Sequence, residues 1–139
     1  MEEISTFYLD SNVLINAAGN DEILGDKARS IISAIIKFKI HAFTSCLTID
    51  ELLWVLRKTD KDYIEICETF LNSNIRFLDT NKSIILISLD VIKEFNLKPR
   101  DAIHAATMKI RNLKRIISED PDFDKVNWIE RKDIKDFKI

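Results

Sequence analysis

The chain has 139 residues, of which 46% are hydrophobic and 32% charged, with only two glycines and two prolines. That length supports one hydrophobic core and excludes two ordinary domains, and so few breakers exclude a disordered chain; a single domain over residues 1–139 is expected. A net charge of −2 excludes a protein that grips duplex nucleic acid by charge alone, so any nucleic-acid binding must be local or assisted by metal ions. Cys46 and Cys67 supply neither a disulfide framework nor a zinc site. No apolar run reaches membrane-spanning length and no targeting motif opens the chain, so a soluble, cytoplasmic protein with reduced thiols is expected.

In chain order, Ser5–Leu9 reads as a short buried strand ending at Asp10, followed by a short helix over Val13–Ala17 that Gly19-Asn20 closes. Leu24–Lys37 has helical period, with Ala28, Ile31, Ile32, Ile35 and Ile36 on one face. Ile40–Phe43 is a second strand, and Ser45 is placed to cap a helix running to about Arg57. A helix from Asp60 to about Leu71 turns Ile64, Cys67, Phe70 and Leu71 inward. Ile75–Leu78 is a third strand, and Lys82–Phe95 is helical. Pro99 suits the first position of a helix running to about Arg111. Arg115–Ser118 is a fourth strand and Val126–Ile129 a short fifth. The alternation predicts an α/β three-layer sandwich with a mainly parallel central sheet of about four to five strands.

In such sheets ligands bind beyond the carboxyl ends of the strands. Asp10 and Asp120 follow strands directly, and Glu51 and Asp101 lie in early turns of helices that start on the same rim. Each acid also has a plainer reading. Asp10 can end a strand and cap the next helix, and Glu51 can complete a capping box with Thr48. Asp101 suits the positive end of a helix dipole, and Asp120 can belong to a solvated turn with Glu119, Asp122 and Asp124. Glu51 projects nearer the apolar side of its helix than Asp50 does. A flanked acid of that kind needs a partner. Several carboxylates on one rim repel one another, and a hard divalent cation such as Mg2+ or Mn2+ is the natural compensation. Carboxylate-held magnesium in turn suits phosphate chemistry.

These motifs resemble the PIN-domain family, and within it the VapC-like toxins of bacteria and archaea, over essentially the whole chain. FYLDSNVLIN resembles the first family motif, TSCLTIDELLWVL the second, LKPRDAIHAATM the third and IISEDPDFDKV the fourth. Pro121 departs from the pattern, where a polar residue is commoner. The resemblance implies an endoribonuclease that hydrolyses phosphodiester bonds of single-stranded or looped RNA with Mg2+ or Mn2+, leaving a 5′-phosphate and a 3′-hydroxyl. It makes Asp10, Glu51, Asp101 and Asp120 the catalytic, metal-holding acids. Ser11 and Asn12 would support Asp10 or a bound water, and Asp122 or Asp124 would join the outer shell, with Glu119 left open. His104 reads as packing or support beneath the rim, and Trp54, Phe70, Phe77 and Phe95 as core. The resemblance also implies a homodimer and, for the toxin of a toxin–antitoxin pair, an antitoxin protein whose tail blocks the acidic groove. Ile31–Phe38 and Tyr63–Leu71 are candidate surfaces for such partners.

Other readings remain open at this level. A phosphatase with a nucleophilic Asp10 would carry a second aspartate two residues on, where this chain has Asn12. A binding module that kept the fold without cleavage would not bind manganese at the rim. A flap-cutting DNA nuclease would need helical segments for which the chain is too short.

Overall fold

The first strand sets the layering. In β1 (Thr6–Leu9), Phe7 and Leu9 enter one hydrophobic core while Tyr8, between them, enters another. The two-residue period of a strand puts neighbouring side chains on opposite faces, so the sheet needs cover on both sides. The same alternation repeats in β2 (His41–Ser45), where Ala42 and Phe43 part, and in β4 (Arg115–Ile117), where Ile117 and Ile116 part. The structure, a computed structural model, describes residues 3–139.

Helices supply that cover. On the face of Phe7 and Leu9 lie α1 (Ser11–Gly19), α2 (Ile23–Ile36), α3 (Cys46–Leu56) and α4 (Tyr63–Leu71), contributing Leu14, Ile31, Ile35, Leu52, Leu56 and Cys67. On the face of Tyr8 lie α5 (Lys82–Phe95) and α6 (Pro99–Ile110), contributing Val91, Ala102, Ala105 and Met108. Leu9, Leu14, Ile35 and Leu52 are fully buried, and each such side chain is worth roughly 1.5–3 kcal/mol. Adding β3 (Arg76–Leu78) and β5 (Glu130–Lys132) gives a five-stranded sheet in the order β3-β2-β1-β4-β5, parallel throughout. The expected three-layer α/β sandwich is therefore the fold observed.

Local chemistry accounts for several boundaries. The Asn81 side chain caps α5 by accepting from Ile84 N at 3.0 Å, and Asn96, at φ 55°, ends it in the left-handed region. Ser45 caps α3 by accepting from Leu47 N at 3.0 Å. Thr48 is buried and its hydroxyl pairs with Thr44 Oγ1 at 2.7 Å, so the alternative capping box of Thr48 with Glu51 does not form. Pro99 opens α6. Among the described residues, no helix is long and apolar enough to cross a membrane, and both cysteines are free.

Some expectations are corrected. The fifth strand is Glu130–Lys132, not Val126–Ile129. Val126 and Ile129 are buried because they pack under the sheet from a loop, after a 3-10 turn over Pro121–Lys125. The charged Glu-Arg-Lys stretch makes the ladder, which suits an exposed edge strand. The first helix is longer than Val13–Ala17. Ile36, Ile64, Leu71 and Trp54 are exposed rather than turned into the core. Trp54 instead carries the Arg57 guanidinium 3.5 Å above its ring, a contact that suits an exposed aromatic.

Gly25 is demanded by close approach. A Cβ there would lie 1.8 Å from the Asn20 carbonyl oxygen, in the tight connection between α1 and α2. Gly19 has room, its added Cβ meeting only Leu56 Cδ2 at 3.4 Å. Gly25→Ala should therefore cost about 1–3 kcal/mol in chemical denaturation, since backbone must shift. Gly19→Ala should change stability by less than about 1 kcal/mol. Equal costs at the two positions would contradict this packing.

Candidate active site

The carboxyl ends of β1 and β4 lie side by side, because Tyr8 pairs with Ile116 and Leu9 with Ile117. The residues that follow, Asp10 and Ser118 to Asp120, therefore emerge on one rim. Asp10 is buried, and its carboxylate is heavily hydrogen-bonded. Oδ1 accepts from Ser11 N at 2.8 Å. Oδ2 accepts from Ser118 Oγ at 2.6 Å and Asn12 Nδ2 at 3.0 Å. Burial raises the Asp10 carboxyl above its ordinary value, more than His104 and the Ser118 hydrogen bond lower it.

Glu51 comes from α3 and meets Asp10 through a shared donor. Ser11 Oγ donates to Glu51 Oε2 at 3.1 Å and lies 3.4 Å from Asp10 Oδ1. The other oxygen, Oε1, faces His104 Nε2 at 2.8 Å. Burial acts to raise Glu51, but the His104 hydrogen bond and charge, with Ser11 and Arg100, outweigh it and hold the carboxyl below its usual range. His104 shows the reverse balance. Burial acts to lower it, while Glu51, Asp10 and Asp101 together raise it. The small residues Ala102, Ala105 and Ala106 of the same helix are fully buried.

Asp101, Asp120 and Asp122 form the tightest acidic group. One carboxylate oxygen from each lies within 4.8 Å of the others. Asp120 is held in place by its neighbours: its amide donates to Ser118 Oγ at 3.0 Å, and its Oδ1 accepts from Asp122 N at 2.9 Å. Burial first, then the charges of Asp120 and Asp10, push Asp101 up from 3.8 to about 7. Burial and like charge both disfavour the ionised form of Asp101, and a cation bound beside it would favour that form. The all-oxygen donor set suits a hard divalent ion. Nearby, Asn12 Oδ1 is buried without a hydrogen-bond partner among the described residues, and a ligand or water would satisfy it.

Glu119 and Asp124 lie outside that group, whereas Asp122, expected only in the outer shell, belongs to it. Asp124 pairs with Arg131 at 3.0 Å, and Arg131 also binds Asp133 and the Ser118 carbonyl. Glu119 accepts from Lys135 N at 3.1 Å. Asp122 has the exposed Lys98 ammonium 3.9 Å away. Sequence reasoning passed over Ser118 and Tyr8, which looked like ordinary strand residues. A signal was present for the first: a hydroxyl residue at a strand end, two positions before an acid, is placed to hold carboxylates.

A family model described as the PIN domain matches residues 7–129. Ribonuclease VapC2 of Methanocaldococcus jannaschii is 32% identical over 146 aligned positions, which cover 94% of this chain and 94% of that protein. VapC20 of Mycobacterium tuberculosis, a sarcin–ricin loop cleaving toxin, superposes with a TM-score of 0.74 at 12% identity, covering 91% of this chain and 98% of that one. VapBC2 from Rickettsia felis, bound to a DNA fragment from its promoter, gives 0.72 at 13% identity, covering 92% and 98%. At such identities the two structures speak for the fold, while the family model and the first relative reach further. The chain belongs to the PIN-domain family.

Proposed function

We propose that the chain is a metal-dependent endoribonuclease acting on single-stranded or looped RNA, and the toxin of a toxin–antitoxin pair. The observation that carries the reading is the gathering of Asp101, Asp120 and Asp122 within 4.8 Å, beside Asp10 and Glu51, on the rim where parallel sheets bind ligands. Support for RNA comes from the likeness to ribonuclease VapC2, and support for an antitoxin from the likeness to VapBC complexes. A homodimer and a cytoplasmic location complete the proposal, with the exposed Ile36, Phe38, Ile64 and Leu71 offering partner surface.

Asp101, Asp120 and Asp122 would hold Mg2+ or Mn2+, with Asp10 and Glu51 alongside. Bound there, the ion would polarise the phosphoryl oxygen and acidify a water. The chain's own groups prepare the site. Ser11, Asn12 and Ser118 fix the orientation of Asp10, and Ser11 and His104 fix Glu51. Pre-set acids need no reorganisation when charge develops on the phosphate. Asn12 donates to Asp10 and Ser118. It thus serves as a support where a phosphatase would carry its second acid.

Total RNA incubated with the wild type should be cut in the presence of Mn2+ and left intact in EDTA, with 5′-phosphate and 3′-hydroxyl ends. Asp10→Asn should lose more than the roughly 100-fold that removal of a supporting hydrogen bond costs, while remaining folded. Full activity in Asp10→Asn would remove Asp10 from the mechanism. Release of phosphate from a small phosphomonoester, without RNA cleavage, would favour the phosphatase reading.

The raised Asp101 also gives a pH dependence. Between 3.8 and about 7, the folded state holds this proton and the unfolded state does not. Its contribution to stability is therefore fully present below 3.8 and lost as pH rises through about 7. In metal-free buffer, Asp101→Asn should gain Tm over the wild type as pH rises from 4 to 8. Mn2+ should stabilise the wild type more at pH 8 than at pH 5. Parallel Tm profiles for the two proteins would contradict this electrostatic picture.

A further inference from the structure

Beneath the acidic rim runs a hydrogen-bonded chain outside the three-aspartate cluster. The Tyr8 hydroxyl lies 2.6 Å from His104 Nδ1, and His104 Nε2 lies 2.8 Å from Glu51 Oε1. Tyr8 and His104 are completely buried. The chain links β1, α6 and α3, three elements far apart in sequence. Tyr8 reaches His104 because strand alternation turns it toward α6, away from Phe7 and Leu9.

Chemistry sets the direction of these bonds. An ionised carboxylate only accepts, so the hydrogen between Glu51 and His104 belongs to Nε2. Nδ1 faces a hydroxyl, which can donate to a bare ring nitrogen or accept from a protonated one. The Tyr8 hydroxyl therefore satisfies Nδ1 either way and leaves Nε2–H committed to Glu51. The second Glu51 oxygen accepts from Ser11 Oγ at 3.1 Å. One donor on each oxygen holds the carboxylate against rotation. Packing does not ask for the Tyr8 hydroxyl. Its ring belongs to the apolar cluster of Val91, Leu97, Ala105, Met108 and Ile116, which phenylalanine would fill nearly as well, while its hydroxyl meets His104 with the Ser45 and Thr107 side chains close by.

We infer that Tyr8 and His104 are positioning residues, a buried hydroxyl–imidazole pair that holds Glu51 in place beside Asp10, next to the proposed cation site. The inference rests on reading the acidic rim as the metal site of a ribonuclease. It assigns a task to a tyrosine that never touches substrate. Supporting partners of this kind change metal affinity or activity by roughly 10–100-fold.

The test uses the full chain as wild type, Tyr8→Phe, His104→Leu and His104→Gln, the last placing an amide donor near the position of Nε2. Calorimetric Mn2+ titration, RNA cleavage kinetics and thermal unfolding are measured on each. Tyr8→Phe should weaken Mn2+ binding and lower kcat by about tenfold with KM for RNA unchanged, and His104→Leu by about 100-fold. His104→Gln should recover part of the His104→Leu loss, which a purely structural role would not produce. In the wild type, nitrogen-15 NMR of the His104 ring should find hydrogen on Nε2, a readout that needs no variant to fold. A bare Nε2, wild-type Mn2+ affinity in Tyr8→Phe, or His104→Gln no better than His104→Leu would overturn the inference. A wild type that binds Mn2+ yet cuts no RNA would defeat the ribonuclease reading, while the Mn2+ affinities would still decide the positioning role.

Discussion

The crowding of Asp101 by the charges of Asp120 and Asp10 is the constraint around which this rim is arranged. Burial and that crowding push the Asp101 carboxyl up to about 7. A fold optimised for stability alone would spread these acids into water. Here they are gathered where desolvation strengthens every charge interaction, a cost that a bound cation would offset.

The neighbouring residues divide that burden. Asp10 is stabilised by donors: a backbone amide, the Ser118 hydroxyl and the Asn12 amide. Glu51 is stabilised by His104 and Ser11, and its carboxyl stays below the ordinary range while Asp10 and Asp101 rise above it. The half of the rim formed by Asp10 and Glu51 is thus served by protein groups. In the half formed by Asp101, Asp120 and Asp122, the Lys98 and Lys125 ammonium groups lie 3.9 Å and 3.6 Å from Asp122, while Asp101 stays raised, so a metal ion would relieve Asp101 most. The same sheet geometry produces both halves, because the pairing of Leu9 with Ile117 fixes how close Asp10 and Ser118 come.

Much of this was legible in the residue pattern. Strand–helix alternation, Ser45 before a helix and Pro99 at the start of another all act locally, and local chemistry is what a sequence displays most directly. The last strand was misplaced for an equally physical reason. Val126 and Ile129 are apolar because they pack under the sheet, whereas the edge ladder of Glu130–Lys132 pairs through its backbone and needs no apolar side chains. The outward turn of Ile36, Ile64 and Leu71 was hidden because helical period marks an apolar stripe without saying how wide a stripe the core covers. Within the site, acids at strand ends announced themselves. The supporting network did not, since Ser118 and Tyr8 gain their roles from residues more than ninety positions away.

Anomalous diffraction from crystals of the chain grown with Mn2+ tests the proposed cation site most directly. A manganese peak bordered by the carboxylates of Asp101, Asp120 and Asp122, on the side of the rim facing Asp10, is the expected result. Crystals in which those three side chains turn to separate surfaces, with no manganese between them at saturating concentration, would contradict it.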